Sequence, residues 1–390
     1  MTAKREIRHT ARRARPRSLS AGTVAFSLMS TLSFFLVLFC SEAAIAAMKN
    51  SLSLCAKSVI PSLFPFMVVS ELVVRSGAGA WLGRLCAPLL RRTFGISEAG
   101  STSVLLGTLC GFPVGAKSAA SLCDTGHLSR DELSRLLCFC NQPSSAFVTS
   151  AVGISLFGSY RFGLLLYVIT LLSALLIGLS VRLLLPSKEL SNSASPTNEK
   201  SSPPHVSLFT DAVSGAAHGM LTVCAFVCFF GTLVACLETL PAVSKLPASL
   251  SALLVGFFEL TGGVARAAAN PSPILAAYAA AWCLGWSGLS VHFQIMCLCN
   301  REGVSFRPYF VAKAAQGALN VALLYAALKI LPSLAPSAGM PSGILLEAKN
   351  AWKIWCGVLV GGIAIGMLRW GKKRRFASKI RQKSRTVGAK

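Results

Sequence analysis

The sequence predicts an all-α polytopic membrane protein with about eight transmembrane helices and two re-entrant helical hairpins in two inverted repeats. The first observation is composition: 53% of the 390 residues are apolar and only 13% are charged, against about 25% in a typical soluble domain. The second is that apolar stretches of about 20 residues, the length of a bilayer-spanning helix, follow one another through most of the chain. The third is that glycines interrupt one such stretch in each half. This composition excludes a soluble enzyme, a disordered protein and a disulfide-stapled secreted domain.

The positive charge is concentrated at the two ends of the chain. The formal net charge is +24, and residues 1–17 hold seven Lys and Arg side chains while residues 369–390 hold ten. Basic residues that flank membrane spans mark the cytoplasmic side and attract anionic lipid head groups. We therefore expect basic cytoplasmic tails at 1–19 and 371–390, with membrane lipids rather than nucleic acid as their partners.

A polar linker divides the membrane region into a first half, 20–185, and a second half, 208–370. Residues 186–207 between them are rich in Ser and Pro and lack an apolar run, which is typical of a linker. The first span is expected to be an uncleaved helix rather than a signal peptide, because its apolar run exceeds a usual signal core. The third predicted span begins at Ser129, because Ser129 and Glu132 match the capping-box pattern that starts a helix. The predicted spans are 20–47, 58–75, 129–156, 160–185, 208–240, 272–300, 308–331 and 351–369.

Two further apolar segments, 101–123 and 249–268, are predicted to be re-entrant. Gly111–Gly115, with a central proline, interrupts the first and Thr261–Gly263 interrupts the second, and neither run continues a helix comfortably. If both segments instead crossed fully, the chain would have ten spans, and both termini would still lie inside. The hairpin arrangement places nearly all loop Lys and Arg residues in the cytoplasm, so it fits the positive-inside rule better.

The two interrupted segments align with each other. Residues Cys110–Ala120 can be laid on Glu259–Ala269 without gaps, which matches Lys117 with Arg266. In the hairpin arrangement the two halves run in opposite directions. Inverted repeats with interrupted helices that meet at the midplane are typical of secondary transporters. The alternative is a chance match of small residues, which are common in membrane helices.

Three motifs carry a family resemblance: Gly107–Lys117, Cys140–Phe147 and Gly285–Gln294. They resemble the YlbJ-type sporulation integral membrane proteins of the wider nucleoside-recognition, or Gate, domain group. The resemblance implies a protein of endospore-forming bacteria, located in the cell or forespore membrane and linked to moving dipicolinic acid into the developing spore. The Gate group is similar to concentrative nucleoside transporters, which contain two re-entrant hairpins. Their acidic Gln-Thr-Glu motif is absent here, where Gly111–Gly115 stands in the first interrupted segment.

Lys117 and Arg266 are predicted to be the cations of a substrate site. A charge at the centre of a membrane helix costs about 2.5–3.5 kcal/mol, so such residues are usually functional or paired. We expect the two to approach each other and bind an anionic substrate, and two cations suit a dicarboxylate such as dipicolinate. Broken-helix N–H groups beside Gly115 and Gly263 are expected to add donors. The alternative is that Lys117 reaches the cytoplasmic face and that Arg266 pairs with Glu259.

Polar residues on two proline- or glycine-interrupted spans complete the predicted site. Those around Pro143 are expected to contact substrate, or else to join helices by hydrogen bonds. His292 titrates near physiological pH and is a candidate proton-coupling group, with a structural interhelical hydrogen bond as the alternative. The predicted substrate-binding residues are Gly111, Phe112, Pro113, Gly115, Lys117, Asn141, Gln142, Ser144, Glu259, Thr261, Gly262, Gly263, Arg266, Ser287, Ser290, His292 and Gln294.

The sequence contains no HExxH, GxSxG, P-loop or CxxC motif. We therefore expect no enzyme activity, no cofactor and no metal. The predicted function is a sporulation-associated membrane transporter or facilitator for a small anionic metabolite, with dipicolinic acid favoured by the resemblance. The alternatives are a transporter of a nucleoside-type metabolite and a non-transporting membrane assembly factor.

Overall fold

The computed structural model describes residues 21–185 and 205–336. The predicted tails, most of the linker and the last predicted span lie outside these residues. The described part is helical and contains no strand, as predicted. Four of its helices are long and apolar enough to cross a membrane: Tyr160–Leu184, Val206–Glu238, Pro273–Cys299 and Arg307–Ile330. A strongly bent pair near the start of the described chain, Phe26–Phe39 with Ser41–Lys57, would make a fifth span if it crosses as one unit.

The first half contains eight α-helices and two π-helical stretches within the described residues. The π-helical stretches are Cys55–Val59, which joins α2 to α3, and Phe147–Leu156, which precedes α8. The α-helices are α1 (Ala21–Phe39), α2 (Ser41–Leu54), α3 (Ile60–Arg75), α4 (Ala78–Phe94), α5 (Glu98–Cys110), α6 (Val114–Asp124), α7 (Arg130–Leu136) and α8 (Tyr160–Leu184).

From α3 and from α9 (His205–Glu238) onward, the two halves share the order of a span, an intervening helix, a folded-back pair, an interrupted span and a last helix. A short 3-10 turn, Pro332–Leu334, ends the described chain's regular structure. The helices are α9 (His205–Glu238), α10 (Pro241–Ser244), α11 (Ala248–Phe258), α12 (Leu260–Ala268), α13 (Pro273–Trp286), α14 (Gly288–Cys299) and α15 (Arg307–Ile330).

The predicted first span, 20–47, is not a single straight helix. The chain bends by 96° where α1 meets α2, and Cys40 at the bend leaves the helical backbone region. Its thiol lies 3.2 Å from the Thr239 hydroxyl and its carbonyl accepts from the Cys236 thiol, both near the end of α9. The bend lets α2 pack along α9, and the local sequence did not predict it because neither glycine nor proline stands there.

The predicted helix over 129–156 is also interrupted. Helix α7 ends at Leu136, and the chain is non-helical at 141–144 before the π-helix. The carbonyl of Asn141 accepts a hydrogen bond from the Lys313 ammonium and that of Gln142 accepts from the Phe112 N–H. Neighbouring elements therefore satisfy the backbone groups that the break releases, as a buried break requires.

The capping box predicted at the start of α7 forms only in part. The Ser129 hydroxyl accepts from the Glu132 N–H at 3.1 Å, as predicted. The Glu132 carboxylate does not return to Ser129; it accepts from the Ser97 N–H at 2.6 Å instead. Ser97 is the N-cap of α5, so this carboxylate ties the starts of two helices together.

Both interrupted segments fold back on themselves. Residues seven or eight positions apart in a straight α-helix are separated by about 10–12 Å. A Cβ built on Gly107 would instead lie 2.9 Å from the Cα of Gly115, and one on Gly256 would lie 3.4 Å from the Cα of Gly263. Only glycine permits so close an approach of two helix backbones. The pairs α5–α6 and α11–α12 therefore have the shape predicted for helical hairpins.

The turn of the second hairpin lies earlier than predicted. The first hairpin turns at Gly111–Pro113, as expected, and its Phe112–Pro113 peptide bond is cis. The second turns at Glu259, whose backbone is extended, while Thr261–Gly263 lies inside α12. The position shifts because the Glu259 carboxylate caps α12 and allows the helix to begin at Leu260.

Helices α8 and α15 pack against each other and against parts of both interrupted spans, and two apolar clusters connect them to the hairpins. Phe162, Leu166 and Ile169 of α8 are buried in one apolar cluster with Leu324 and Leu328 of α15. Toward the other end, α15 contributes to the cluster that also contains residues of α6 and α7. The contact between α8 and α15 encloses polar side chains at its middle, and these bear on function.

Candidate functional site

The two predicted cations do not meet. The Lys117 ammonium lies 3.4 Å from the Glu71 carboxylate of α3 and donates to the Gly215 carbonyl of α9 at 2.7 Å. Arg266 lies 2.6 Å from the Glu238 carboxylate and is half-exposed. Gly215 and Glu238 are 23 residues apart on α9, which corresponds to about 34 Å along a helix. The expectation of a shared two-cation site is therefore wrong.

The alternative expectation for Arg266 is wrong, and Lys117 is paired inside the protein. Lys117 does not extend into solvent, because its side chain is only 14% exposed and it pairs with a buried carboxylate. Arg266 does not pair with Glu259. The sequence offered no means of choosing among the carboxylates, since Lys117 and Arg266 each pair with a carboxylate on another helix, 46 and 28 residues away along the chain.

The first hairpin turn packs against the break at 141–144. The Phe112 N–H donates to the Gln142 carbonyl at 2.7 Å. Gly111 has φ +82, and a Cβ there would lie 2.6 Å from the Ser144 N atom, so only glycine fits the contact. The structure thus brings together seven predicted residues: Gly111, Phe112, Pro113, Gly115, Asn141, Gln142 and Ser144.

The second hairpin turn packs against the break between α13 and α14. Ser287 at this break has φ +75, the one non-glycine positive φ in the described chain. A Cβ on the adjacent Gly288 would lie 2.9 Å from the Leu260 N atom. The predicted residues of this hairpin, Glu259 and Thr261–Gly263, therefore lie beside Ser287 in an arrangement that parallels the first hairpin turn.

The N-terminus of α12 is occupied by a side chain of the protein itself. Glu259 accepts from the N–H groups of Thr261 and Gly262 at 3.0 and 2.6 Å and from the Thr261 hydroxyl at 2.5 Å. These donors were expected to bind a substrate carboxylate. In this structure the Glu259 carboxylate takes that place, so a solute anion would have to displace it.

His292 is fully buried among aromatic rings. Its Nδ1 lies 2.7 Å from the Tyr309 hydroxyl, and Trp286 and Phe310 contact its ring edge-on at centroid distances of 4.4 and 5.2 Å. Its Nε2 atom has no hydrogen-bond partner among the described residues. Nearby on the same helix, the Gln294 amide donates to the Ser290 hydroxyl at 3.2 Å.

A polar cluster between α8 and α15 was not predicted from the sequence. Gln316 donates to the Gln142 amide oxygen at 2.6 Å and also reaches Ser173 on α8. Asn320 accepts from the Ser173 hydroxyl at 2.6 Å. Lys313 donates to Gln316 and to the Asn141 carbonyl at 3.0 and 2.6 Å. All of these side chains are buried.

A signal for this cluster was present in the sequence. Lys313, Gln316 and Asn320 follow one another at three- and four-residue spacing in an otherwise apolar span, so they share one helix face. Charged and amide residues inside a membrane span mark a functional or paired position. Glu71 carried the same signal as the carboxylate within the predicted span 58–75.

Comparison with known proteins gives one informative similarity. No protein-family model and no solved structure matches the chain. The chain is 29% identical over 321 residues to the sporulation integral membrane protein YlbJ of Bacillus subtilis (strain 168). The alignment covers 73% of this chain and 79% of that protein. The aligned length is far greater than the combined length of the three motifs that carried the predicted resemblance. The predicted resemblance to the YlbJ-type sporulation integral membrane proteins is confirmed, while the link to the wider nucleoside-recognition, or Gate, domain group stays a prediction.

Proposed function

We propose that this protein is a sporulation-associated membrane transporter or facilitator for a small anionic metabolite, located in the cell or forespore membrane. The observation that carries the proposal is the pair of folded-back helices whose turns pack against breaks in neighbouring helices. Interrupted backbone inside a membrane is tolerated where it is buried in protein or lines a cavity. Paired interrupted segments in corresponding positions of two halves are the feature that marks a transporter's binding region.

The equivalence of the two hairpins supports inverted repeats. In each hairpin a glycine pair forms the contact between the arms, Gly107 with Gly115 and Gly256 with Gly263. Each pair also abuts a cysteine of a following element: the Cys140 carbonyl in the first half and the Cys283 thiol in the second. The matching pattern of arm, turn and neighbour favours a shared ancestry of the halves over a chance match of small residues.

The ion pairs of the two hairpins fit the same arrangement. Lys117 on α6 pairs with the span that precedes its hairpin, through Glu71, and Arg266 on α12 pairs with the span that precedes its own, through Glu238. The two pairs lie toward opposite ends of α9. Equivalent positions of inverted repeats are expected on opposite sides of a membrane, so the separation that rules out a shared cation site supports inversion.

The substrate is proposed from the family resemblance, which favours dipicolinic acid, an aromatic dicarboxylate. The test is flux of labelled dipicolinate into vesicles that contain the purified full-length protein. We expect uptake that excess unlabelled dipicolinate inhibits and that protein-free vesicles lack. Uptake of labelled uridine instead would replace the substrate with a nucleoside-type metabolite. Uptake of neither compound would contradict transport and favour a membrane assembly role.

A further inference from the structure

We propose that Lys313 is the carboxylate-binding cation of this protein, at a site where the break at 141–144 lies between the first hairpin turn and α15. The proposal rests on the proposed transport of an anion and assigns that anion a residue. It replaces the two-cation site that the structure excludes.

The first observation is a buried positive charge without a matching negative one. Lys313 is fully buried, and its two acceptors, the Asn141 carbonyl and the Gln316 amide oxygen, are both neutral. None of the ion pairs between described residues includes it. A buried ammonium is costly unless it is paired, and an ionisable group inside a membrane span is typically retained for function.

The second observation is the position of Lys313 relative to the hairpin. Asn141 and Gln142 form the break that supports the hairpin turn, because the Gln142 carbonyl accepts from Phe112. The same two residues hold Lys313 and Gln316. A displacement of the hairpin that moves Gln142 therefore uncovers the ammonium and the Gln316 amide together. A carboxylate entering there would replace neutral acceptors by a charged one, which forms stronger hydrogen bonds.

The third observation is unused hydrogen-bonding capacity beside Lys313. The Asn141 amide oxygen and His292 Nε2 are buried without partners among the described residues. Asn141 contacts Lys313 directly, and His292 is joined through Tyr309 to the helix turn that precedes Lys313. Buried polar atoms are usually satisfied. When Nδ1 accepts from the Tyr309 hydroxyl, His292 Nε2 carries the proton and is a free donor for a ligand carboxylate, whereas the Asn141 amide oxygen is an acceptor and contributes no contact to an anion. The place beside Lys313 and His292 therefore suits a carboxylate. The rings of Tyr309 and Phe310 give that place an apolar wall suited to an aromatic carboxylate.

The test compares Lys313→Met with Lys313→Arg and a matched control, Lys329→Met, in the full-length protein. Lys329 lies on the same helix but is exposed near its end. Thermal unfolding in detergent is measured with and without dipicolinate, pyridine-2-carboxylate or the neutral pyridine-2,6-dicarboxamide, and dipicolinate flux is measured in vesicles. We expect the carboxylates, but not the diamide, to raise the melting temperature of the wild type and of Lys329→Met.

Lys313→Met should bind dipicolinate about tenfold to a hundredfold more weakly, the usual loss for a hydrogen bond to a charged group. Without ligand it should unfold close to the wild-type temperature, because the removal of an uncompensated buried charge offsets the loss of the hydrogen bonds to the Asn141 carbonyl and the Gln316 amide oxygen. Lys313→Arg should retain part of the binding. A lower ligand-free melting temperature with unchanged affinity for dipicolinate would show a purely structural lysine and overturn the assignment.

The two proposals fail in different ways. If the wild type takes up dipicolinate and Lys313→Met does so equally well, transport stands and the assignment of Lys313 is wrong. If the wild type neither binds nor moves any carboxylate, both proposals are wrong.

Discussion

The ammonium of Lys117 lies 3.4 Å from the carboxylate of Glu71, and Arg75 contacts the same carboxylate at 2.9 Å. Lys117 belongs to the second arm of the first hairpin, whereas Glu71 belongs to the span before it. The Gly215 carbonyl of α9 accepts from Lys117 as well. One carboxylate thus ties the hairpin to the span beside it, and the lysine extends the connection to the first helix of the second half.

Glu71→Gln should destabilise the protein by about 2 kcal/mol, because it leaves Lys117 largely buried without its carboxylate. The measurement is the free energy of unfolding by denaturant in detergent micelles. The control is Glu98→Gln, which removes an exposed pair with Arg84 and should cost about 0–1 kcal/mol. Equal losses in the two variants would mean that the Lys117 pair is no stronger than a surface pair.

Gly111→Ala should disrupt the contact between the first hairpin turn and the break at 141–144. The matched control is Gly126→Ala, because Gly126 has nearly the same φ, +80, but open space around its Cα, whereas Gly111 lies against Ser144. Gly126→Ala should lose only about 1–2 kcal/mol of stability, from the strain of a left-handed backbone at a residue with a Cβ. Gly111→Ala should cost about 1–3 kcal/mol more, for the backbone collision and because φ +82 with ψ −173 is a conformation that is essentially restricted to glycine. It should also abolish dipicolinate flux, which the control keeps. Matching stability and flux in both variants would contradict a tight turn contact.

Glu259→Ala should destabilise the second hairpin by about 1–2 kcal/mol, since it removes the acceptor for the first N–H groups of α12. Glu259→Gln keeps one carbonyl oxygen and should fall between the wild type and the alanine variant. The comparison is Ser159→Ala, which removes a cap with one hydrogen bond, to the Phe162 N–H, and should cost less. A smaller loss for Glu259→Ala than for Ser159→Ala would argue that the Glu259 contacts do not stabilise the turn.

The pair of Asp124 and Arg301 should make stability fall in acid. Arg301 donates two hydrogen bonds to the Asp124 carboxylate, and this holds the pKa of Asp124 below its ordinary value. A carboxylate with a lowered folded-state pKa stabilises the protein above the unfolded-state pKa, about 3.9, and the contribution disappears as pH falls through the folded-state pKa. Asp124 is half-exposed, so the contribution is small.

Asp124→Asn should therefore be less stable than the wild type at pH 7, and the difference in unfolding free energy should shrink below about pH 4. Arg301→Gln should show the same dependence, because it removes the other partner. A difference that stays constant between pH 7 and pH 3 would mean that the pair contributes through packing rather than charge.

Much of the helical framework followed from local features. Apolar runs predicted α8, α9 and α15 to within a few residues, and the glycines around Pro113 predicted the first hairpin turn. Local features failed at Cys40, where contacts with the end of α9 impose a bend, and at 141–144, where Lys313 and Phe112 stabilise an opened backbone. In both places the decisive hydrogen bonds come from residues far away in the sequence.

The candidate site shows the same division. Residues around the two turns were predicted together because glycine, proline and polar residues are unusual inside apolar spans. Lys313, Gln316 and Asn320 were missed although their spacing places them on one face, since nothing local shows that this face meets Gln142 and Ser173.

The sequence by itself determined that this is a helical membrane-type chain with an interrupted segment in each half, because hydropathy and backbone preferences are properties of neighbouring residues. Only the tertiary structure decided how the three cations of the candidate site are paired among the described residues. Lys117 pairs with Glu71, Arg266 pairs with Glu238, and Lys313 is left with neutral acceptors. The physical reason is that electrostatic pairing depends on distances of a few ångströms between helices, and spacing along the chain does not encode those distances.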